Sequence, residues 1–148
     1  MPATEAFTTA GTTFSIKNAA PGTYTSGGFA ALVWKLIGEV VDAGEFGRQY
    51  NLVTHNPIGN RRTVKRKGSF NDGTMTLQLA RIPADVGQAE IIAALALDTT
   101  ISVRLVLQDG TILYFTCQVL SYTTNLGNVD QIVGATVQIE ITNDIIEV

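Results

Sequence analysis

The chain has 148 residues, of which 45% are hydrophobic and only 16% charged, and its formal net charge is −3. A chain of this length can bury a sizeable core in one domain, so we expect residues 1–148 to form a single domain. Its one cysteine, Cys117, excludes a disulfide within the chain and a thiolate metal cluster. Since charge is scarce, much of the surface must be neutral or apolar, which hints at assembly.

The first sixty residues contain few regular patterns. Residues 1–30 are rich in Thr, Ala and Gly and too apolar for a solvated tail, so we interpret them as an N-terminal arm that packs on something. Residues 32–41 favour β-structure, and Gly38 among them indicates a bulge or a close backbone approach. Residues 42–60 contain turn formers throughout and predict a long loop, a feature that is usually functional or interfacial.

Alternation of apolar and polar residues predicts the later strands. The alternating segments are residues 74–81, 101–107, 111–123 and 133–142. Asp85, followed by Gln88, forms a capping-box pattern that begins a helix over about residues 85–97. We expect this helix to lay an apolar stripe on the sheet, formed by Val86, Ile91, Ile92 and Leu95. The pattern predicts a mainly β fold, an antiparallel sandwich or partly open barrel with one flanking α-helix.

The sequence contains little that could carry out catalysis. His55 is the only histidine, and no serine lies in a nucleophile-elbow context. The glycine clusters lack the Lys-Ser/Thr of a phosphate-binding loop. Glu39, Asp42 and Glu45 are closely spaced carboxylates whose positions favour an acidic rim over an acid–base pair. We therefore predict no enzyme activity and no cofactor or metal, and we expect Cys117 to be a buried, inert thiol.

Residues 61–67 (RRTVKRK), which we call the basic strip, hold five of the ten basic side chains. The other residues carry five basic and thirteen acidic groups, a balance of −8. Such asymmetry usually marks a surface that meets a partner of opposite sign. Nucleic acid bound by a barrel of the oligonucleotide-binding type is one such partner. However, an extended strip divides its charges between two faces and has no aromatic residue to stack on bases.

Alternatively, the basic strip joins copies of one acidic subunit. Charge on both faces can meet two acidic neighbours, and the acidic rim supplies a complement on another copy. Long strands of low charge, such as residues 132–142, also lack the charges that normally blunt sheet edges, so we expect neighbours to extend the sheet. The predicted contacts between subunits or rings are Glu39, Asp42, Glu45, Arg61, Arg62, Lys65, Arg66 and Lys67.

Several short segments follow one another in a recognisable order along residues 32–142. They are Trp34–Val41 (WKLIGEVV), the basic strand with Gly68, Thr76-Leu77 within TMTLQL, residues 83–88 (PADVGQ), Arg104, residues 109–111 (DGT), Phe115, Val119, Ser121 and residues 137–142 (VQIEIT). In this combination the chain resembles the tail tube proteins, or major tail proteins, of long non-contractile-tailed bacteriophages (siphophages).

The resemblance implies a structural virion protein that self-assembles into homohexameric rings by joining inner sheets. Stacked rings form a hollow phage tail tube that conducts phage DNA into the host cell. The tube contains the tape-measure protein during assembly and meets tail-tip and terminator proteins. The resemblance also implies that residues 42–60 and the adjoining basic strip reach a neighbouring subunit or ring. We expect assembly in the host bacterial cytoplasm, with no membrane contact.

A conduit for DNA needs a neutral or acidic wall, because attraction to the wall would stall passage. The polar faces of alternating strands can supply one. On the last long strand we expect the lumen-facing residues to be Thr136, Gln138, Glu140 and Thr142.

Overall fold

The computed structural model describes residues 6–148, which form ten strands and two helices. The strands are β1 (Thr13–Lys17), β2 (Lys35–Ile37), β3 (Val40–Asp42), β4 (Gln49–His55), β5 (Val64–Asn71), β6 (Thr74–Ala80), β7 (Ile101–Val106), β8 (Ile112–Asn125), β9 (Gly134–Ile141) and β10 (Ile146–Glu147). The helices are α1 (Ser26–Ala30) and α2 (Val86–Leu95).

Eight strands form one antiparallel sheet in the order β2-β1-β7-β8-β9-β6-β3, with β10 added beside β8. The mainly β, antiparallel architecture predicted from the sequence is therefore confirmed. The sheet is not closed into a barrel, since its end strands β2 and β3 are not paired with each other in the described part of the chain. These two strands are nevertheless joined by only Gly38 and Glu39, so the ends of the sheet meet there. Glu39 adopts a left-handed backbone conformation, with φ of 58°.

The core lies on one face of this sheet. The alternation along β6 is confirmed, since Met75, Leu77 and Leu79 are all buried. Helix α2 covers the core beside β8, β1 and β2, and buries Ile91 and Ala94.

The predicted apolar stripe of α2 is wrong except at Ile91. Val86, Ile92 and Leu95 are exposed, whereas Gly87 and Gln88 are buried. The helix lies so close to β2 that a Cβ on Gly87 would come 2.2 Å from the carbonyl oxygen of Leu36. Contact with β2 therefore sets the rotation of the helix.

The interpretation of residues 1–30 as an arm is wrong for the segment that forms β1. This strand pairs with both β2 and β7, and its residues Phe14 and Ile16 belong to the core. Helix α1 packs Phe29 in a stacked arrangement on Tyr114 of β8, 5.3 Å between ring centroids. Residues 1–5 of the predicted arm lie outside the described residues.

The long loop predicted over residues 42–60 contains strand β4, which pairs with β5 in a separate two-stranded hairpin. The prediction missed β4 because every residue of this strand is exposed. Neither face of the hairpin is covered by the core, so the sequence has no apolar face to alternate with a polar one.

Candidate assembly surfaces

The β4–β5 hairpin carries most of the basic strip. Its register pairs Leu52 with Lys67 and Thr54 with Lys65, while Val53 pairs with Arg66. Directly opposed residues share a face, so Lys65 and Lys67 lie on one face and Arg66 on the other. Arg61 and Arg62 precede β5 and are exposed. The charges are thus divided between two faces, as the sequence indicated.

Aromatic residues accompany the lysines on their face of the hairpin. Tyr50 and Phe70 pair across the strands with ring centroids 5.3 Å apart, and the ammonium of Lys67 lies 4.7 Å from the Tyr50 ring. No aromatic residue lies inside the strip itself, because these rings come from residues on either side of it in the hairpin. They meet Lys67 only through strand pairing and a register shift between Tyr50 and Leu52.

The base of the hairpin is fixed to the body of the protein by Arg48. Its Nε donates to the buried carboxylate of Asp72 at 3.2 Å, and its Nη2 pairs with Asp144. The guanidinium also lies 4.2 Å from the centroid of Phe70. Phe46, two residues earlier, packs against Phe115 of the core. The base of the hairpin is therefore held by these contacts, whereas both of its faces are uncovered.

The acidic rim follows the β3 edge of the sheet, from the turn between β2 and β3 to the connection that leads into the hairpin. Glu39 occupies the turn between β2 and β3, Asp42 ends β3, and Glu45 lies in the connection to the hairpin. All three carboxylates are exposed. The ion pairs of the described residues are Lys35–Glu90, Arg48–Asp72 and Arg48–Asp144. Rim and strip are therefore not paired with each other within the described residues.

The outer face of the sheet is mainly polar across β8, β9 and β6, with one exposed apolar side chain, Leu120, at the register shift of β8. Thr136, Gln138 and Glu140 alternate with the buried Ala135, Val137 and Ile139, as the sequence predicted. Their cross-strand partners are Gln78, Thr76 and Thr74 on β6 and Thr123, Ser121 and Gln118 on β8. Thr142 follows β9, with its hydroxyl 3.1 Å from that of Thr116. Asp42 pairs with Gln78 at the edge of this face, so a second carboxylate lies there in addition to Glu140.

This polar face ends at a free strand edge on each side. Strand β8 pairs with β7 through residues 112–117, whereas residues 117–125 pair with β9 on the other side. Residues 118–125 therefore have one edge that no described strand occupies. Strand β3 is the last of the sheet, so its edge away from β6 is likewise unpaired in the described chain. Such edges are normally blunted or covered.

The single cysteine and histidine show no catalytic arrangement. Cys117 is fully buried in the core, and burial raises the pKa of its thiol well above the ordinary value. His55 is exposed on β4 opposite Val64. Within residues 6–148 no cluster of three or more His, Cys, Asp or Glu side chains could hold a metal ion. No helix in that range is long and apolar enough to cross a membrane.

No protein family model and no curated protein matches the chain, but solved structures do. A chain of the anti-feeding prophage baseplate superimposes with a TM-score of 0.71 at 11% identity, covering 99% of this chain and 97% of that chain. A chain of the PVC sheath/tube terminator of an extracellular contractile injection system gives 0.62 at 12%, covering 99% of each. A chain of the anti-feeding prophage tube-terminating cap gives 0.62 at 11%, covering 100% and 95%.

The chain has a phage-tail-type, tube-related fold. At such low identities the likeness concerns the fold alone, and the surfaces must be interpreted from this chain's own residues. Sequence reasoning found the charged and polar members of these surfaces. It missed Tyr50, Phe70 and Arg48, whose roles depend on strand pairing and on contacts with distant residues such as Asp144.

Proposed function

We propose that this chain, acting as a single tail-tube domain, is the tube subunit of a long non-contractile-tailed phage. Copies form hexameric rings, and the rings stack into the hollow tail tube through which phage DNA passes into the host cell. The observation that carries the proposal is the polar outer face of the sheet, flanked by two unpaired strand edges. The tube-related fold, matched over nearly the whole chain, supports it.

A ring can close when β3 of one copy pairs with residues 118–125 of β8 in the next. The two edges lie on opposite sides of the same polar face, so this contact joins different surfaces of each copy. Contacts of this kind close into rings when the rotation between subunits fits. Pairing would continue the polar face from subunit to subunit and would leave no open edge, as closed barrels do.

The continued polar face then lines the lumen with Thr136, Gln138, Glu140 and Thr142. The outward side chains of β6, β8 and β9 include one carboxylate, Glu140, and no lysine or arginine. A wall without positive charge cannot form the ionic contacts that give proteins their affinity for phosphate backbones. DNA would therefore pass without tight binding.

The basic strip and the acidic rim join one ring to the next in this proposal. The strip contributes Arg61, Arg62, Lys65, Arg66 and Lys67, and the rim contributes Glu39, Asp42 and Glu45. Their exposure, and the absence of pairing between them in the described subunit, leave both free to meet on different copies. The tape-measure protein would occupy the lumen during assembly, and tail-tip and terminator proteins would meet the tube ends. The protein would be found in the virion, after assembly in the host bacterial cytoplasm.

Negative-stain electron microscopy of the purified protein tests the proposal directly. We expect hexameric rings or hollow tubes at high protein concentration, or after a tail-tip nucleus is supplied. A protein that remains monomeric under both conditions, as measured by light scattering, would contradict a tube role.

The hairpin also favours a second candidate function, nucleic-acid binding. Tyr50 and Phe70 share a face with Lys65 and Lys67, and aromatic rings beside lysines can stack on bases while the lysines contact phosphates. This function predicts tight, salt-sensitive retardation of short oligonucleotides that is lost on replacing Lys65, Arg66 and Lys67 by Gln. We favour the tube, because the rest of the chain is strongly acidic and would repel a phosphate backbone.

A further inference from the structure

Helix α2 is apolar on its exposed side, and its buried side is apolar except for Gln88. The buried side consists of Gly87, Gln88, Ile91 and Ala94. The exposed side consists of Val86, Ala89, Ile92, Ala93 and Leu95. The only charged residue of α2 is Glu90, which already forms an ion pair with Lys35. A helix that is apolar all round is normally buried, so this exposed side needs a partner.

A carboxylate lies at each end of this helix face. Asp98 is exposed just beyond the end of α2, and Asp85 lies at its beginning. The partner therefore needs an apolar surface with positive charge beside it. Within the described chain, the β4–β5 hairpin has this composition: Leu52 is 65% exposed and lies on the same face as Tyr50, Lys65 and Lys67.

In the described subunit the hairpin is not covered by the helix. Helix α2 packs on β8, β1 and β2, whereas every residue of β4 is exposed. A contact between these two elements therefore joins one copy to the next, and its repetition propagates an assembly.

We propose that the exposed face of α2 receives the β4–β5 hairpin of a second copy of this chain. Leu52 packs on the helix around Ile92. Lys65 and Lys67, on the same face as Leu52, then lie toward Asp98 instead of the acidic rim, which Arg66 on the other face still meets. The proposal rests on the tube function and names the surface on which the hairpin docks. It also accounts for a hairpin that has no cover in the single subunit, since isolated two-stranded hairpins are at best marginally stable.

Disulfide trapping between two separately purified variants tests the contact. Leu52→Cys and Ile92→Cys are mixed under assembly conditions and oxidised by air with copper phenanthroline, and the products are separated on non-reducing gels. We expect a crosslinked dimer in the mixture. The matched control is a mixture of Leu126→Cys and Ile92→Cys, which should give no crosslinked dimer. Leu126 is 66% exposed and lies outside the hairpin. Native Cys117 is buried and should not contribute.

A substitution that places a charge on the exposed face of α2 provides the second test. Ile92→Asp should retain the circular dichroism spectrum of the native subunit and should fail to form stacked tubes. If wild-type tubes form but the Leu52 and Ile92 variants do not crosslink, or if Ile92→Asp stacks normally, the docking site is wrong while the tube function stands. If the Leu126 variant crosslinks to the Ile92 variant more than the Leu52 variant does, the hairpin is not the element that docks on α2. A wild-type protein that never assembles would reject both proposals.

Discussion

The side-chain amide of Gln88 donates hydrogen bonds to the carbonyl oxygens of Gly38 at 3.1 Å and Ala80 at 2.9 Å. Its Oε1 accepts from the backbone N–H of Ile82 at 2.8 Å. The carboxylate of Asp85 accepts from the N–H of Gly38 at 3.2 Å. One buried glutamine therefore joins the beginning of α2, the end of β6 and the turn at which the two ends of the sheet meet.

Replacing Gln88 by Leu should destabilise the subunit by roughly 3 kcal/mol, because two carbonyl oxygens and one N–H lose their partner in a buried site. Equilibrium unfolding in urea measures the loss. Gln118→Leu is the matched control, since Gln118 is exposed and makes one hydrogen bond of 3.3 Å to Asp98. A Gln88→Leu variant as stable as this control would show that the glutamine does not hold the turn.

Gln88 also shows which contacts could be predicted from the sequence alone and which could not. The spacing of Asp85 and Gln88 predicted a helix start, and the Asp85 carboxylate does accept from the backbone N–H of Gln88 at 2.9 Å. The glutamine side chain, however, turns away to Gly38, fifty positions earlier in the chain. Local spacing predicts local hydrogen bonds, whereas a partner so distant depends on the folded sheet.

The same distinction applies to the candidate surfaces. Alternation along β9 was sufficient to assign Thr136 and Gln138 to the polar face, because the other face of that strand is buried. Strand β4 has no buried face, so its sequence carried no such signal. The free edge of β8 could not be predicted either, since it arises where the pairing of one long strand passes from β7 to β9 at Cys117.

The buried thiol of Cys117 should make stability depend on pH in alkaline solution. Burial raises its pKa in the folded state, so the folded protein keeps the proton while the unfolded thiol ionises near pH 8.5. Unfolding then releases a proton, and stability falls as pH rises from about 8.5, by at most about 1.4 kcal/mol per pH unit. Below that pH the thiol is protonated in both states and contributes no pH dependence.

Urea unfolding between about pH 8 and 10 checks this expectation, with Cys117→Ala as the comparison. The alanine variant should lose less stability over that range, whatever its stability at neutral pH. Native Cys117 should also resist thiol reagents until the protein unfolds. Equal pH slopes in the two proteins, or rapid labelling of the native state, would contradict a buried protonated thiol.

The substitution Val41→Lys should prevent ring formation. Val41 is 78% exposed on the edge strand β3, and a charge on such an edge disfavours pairing with another strand. Because the side chain is exposed, the variant should keep the unfolding midpoint of the native protein within a few degrees. Val33→Lys is the matched control, since Val33 is 74% exposed but lies outside the β3 edge. Microscopy showing rings for Val41→Lys would mean that β3 does not join neighbours.

Charge reversal tests whether the basic strip joins rings through the acidic rim. Arg62→Glu with Arg66→Glu should leave a folded subunit that forms single rings but no stacked tubes, because both arginines are exposed and unpaired with acidic side chains in the described subunit. Each exposed ion pair contributes only about 0–1 kcal/mol, so the effect depends on repetition around the ring. Salt should weaken native tubes for the same reason.

A charge swap separates a specific pairing from a general loss of positive charge. The rim variant Glu39→Arg with Glu45→Arg should also fail to stack alone, whereas strip and rim reversals combined in one chain should stack again. Tube length measured by negative-stain microscopy across the four proteins provides the comparison. If the combined variant remains unstacked while each subunit is folded, the strip meets some acidic surface other than this rim. If the strip variant stacks normally, ionic contact through Arg62 and Arg66 is not what holds the rings together.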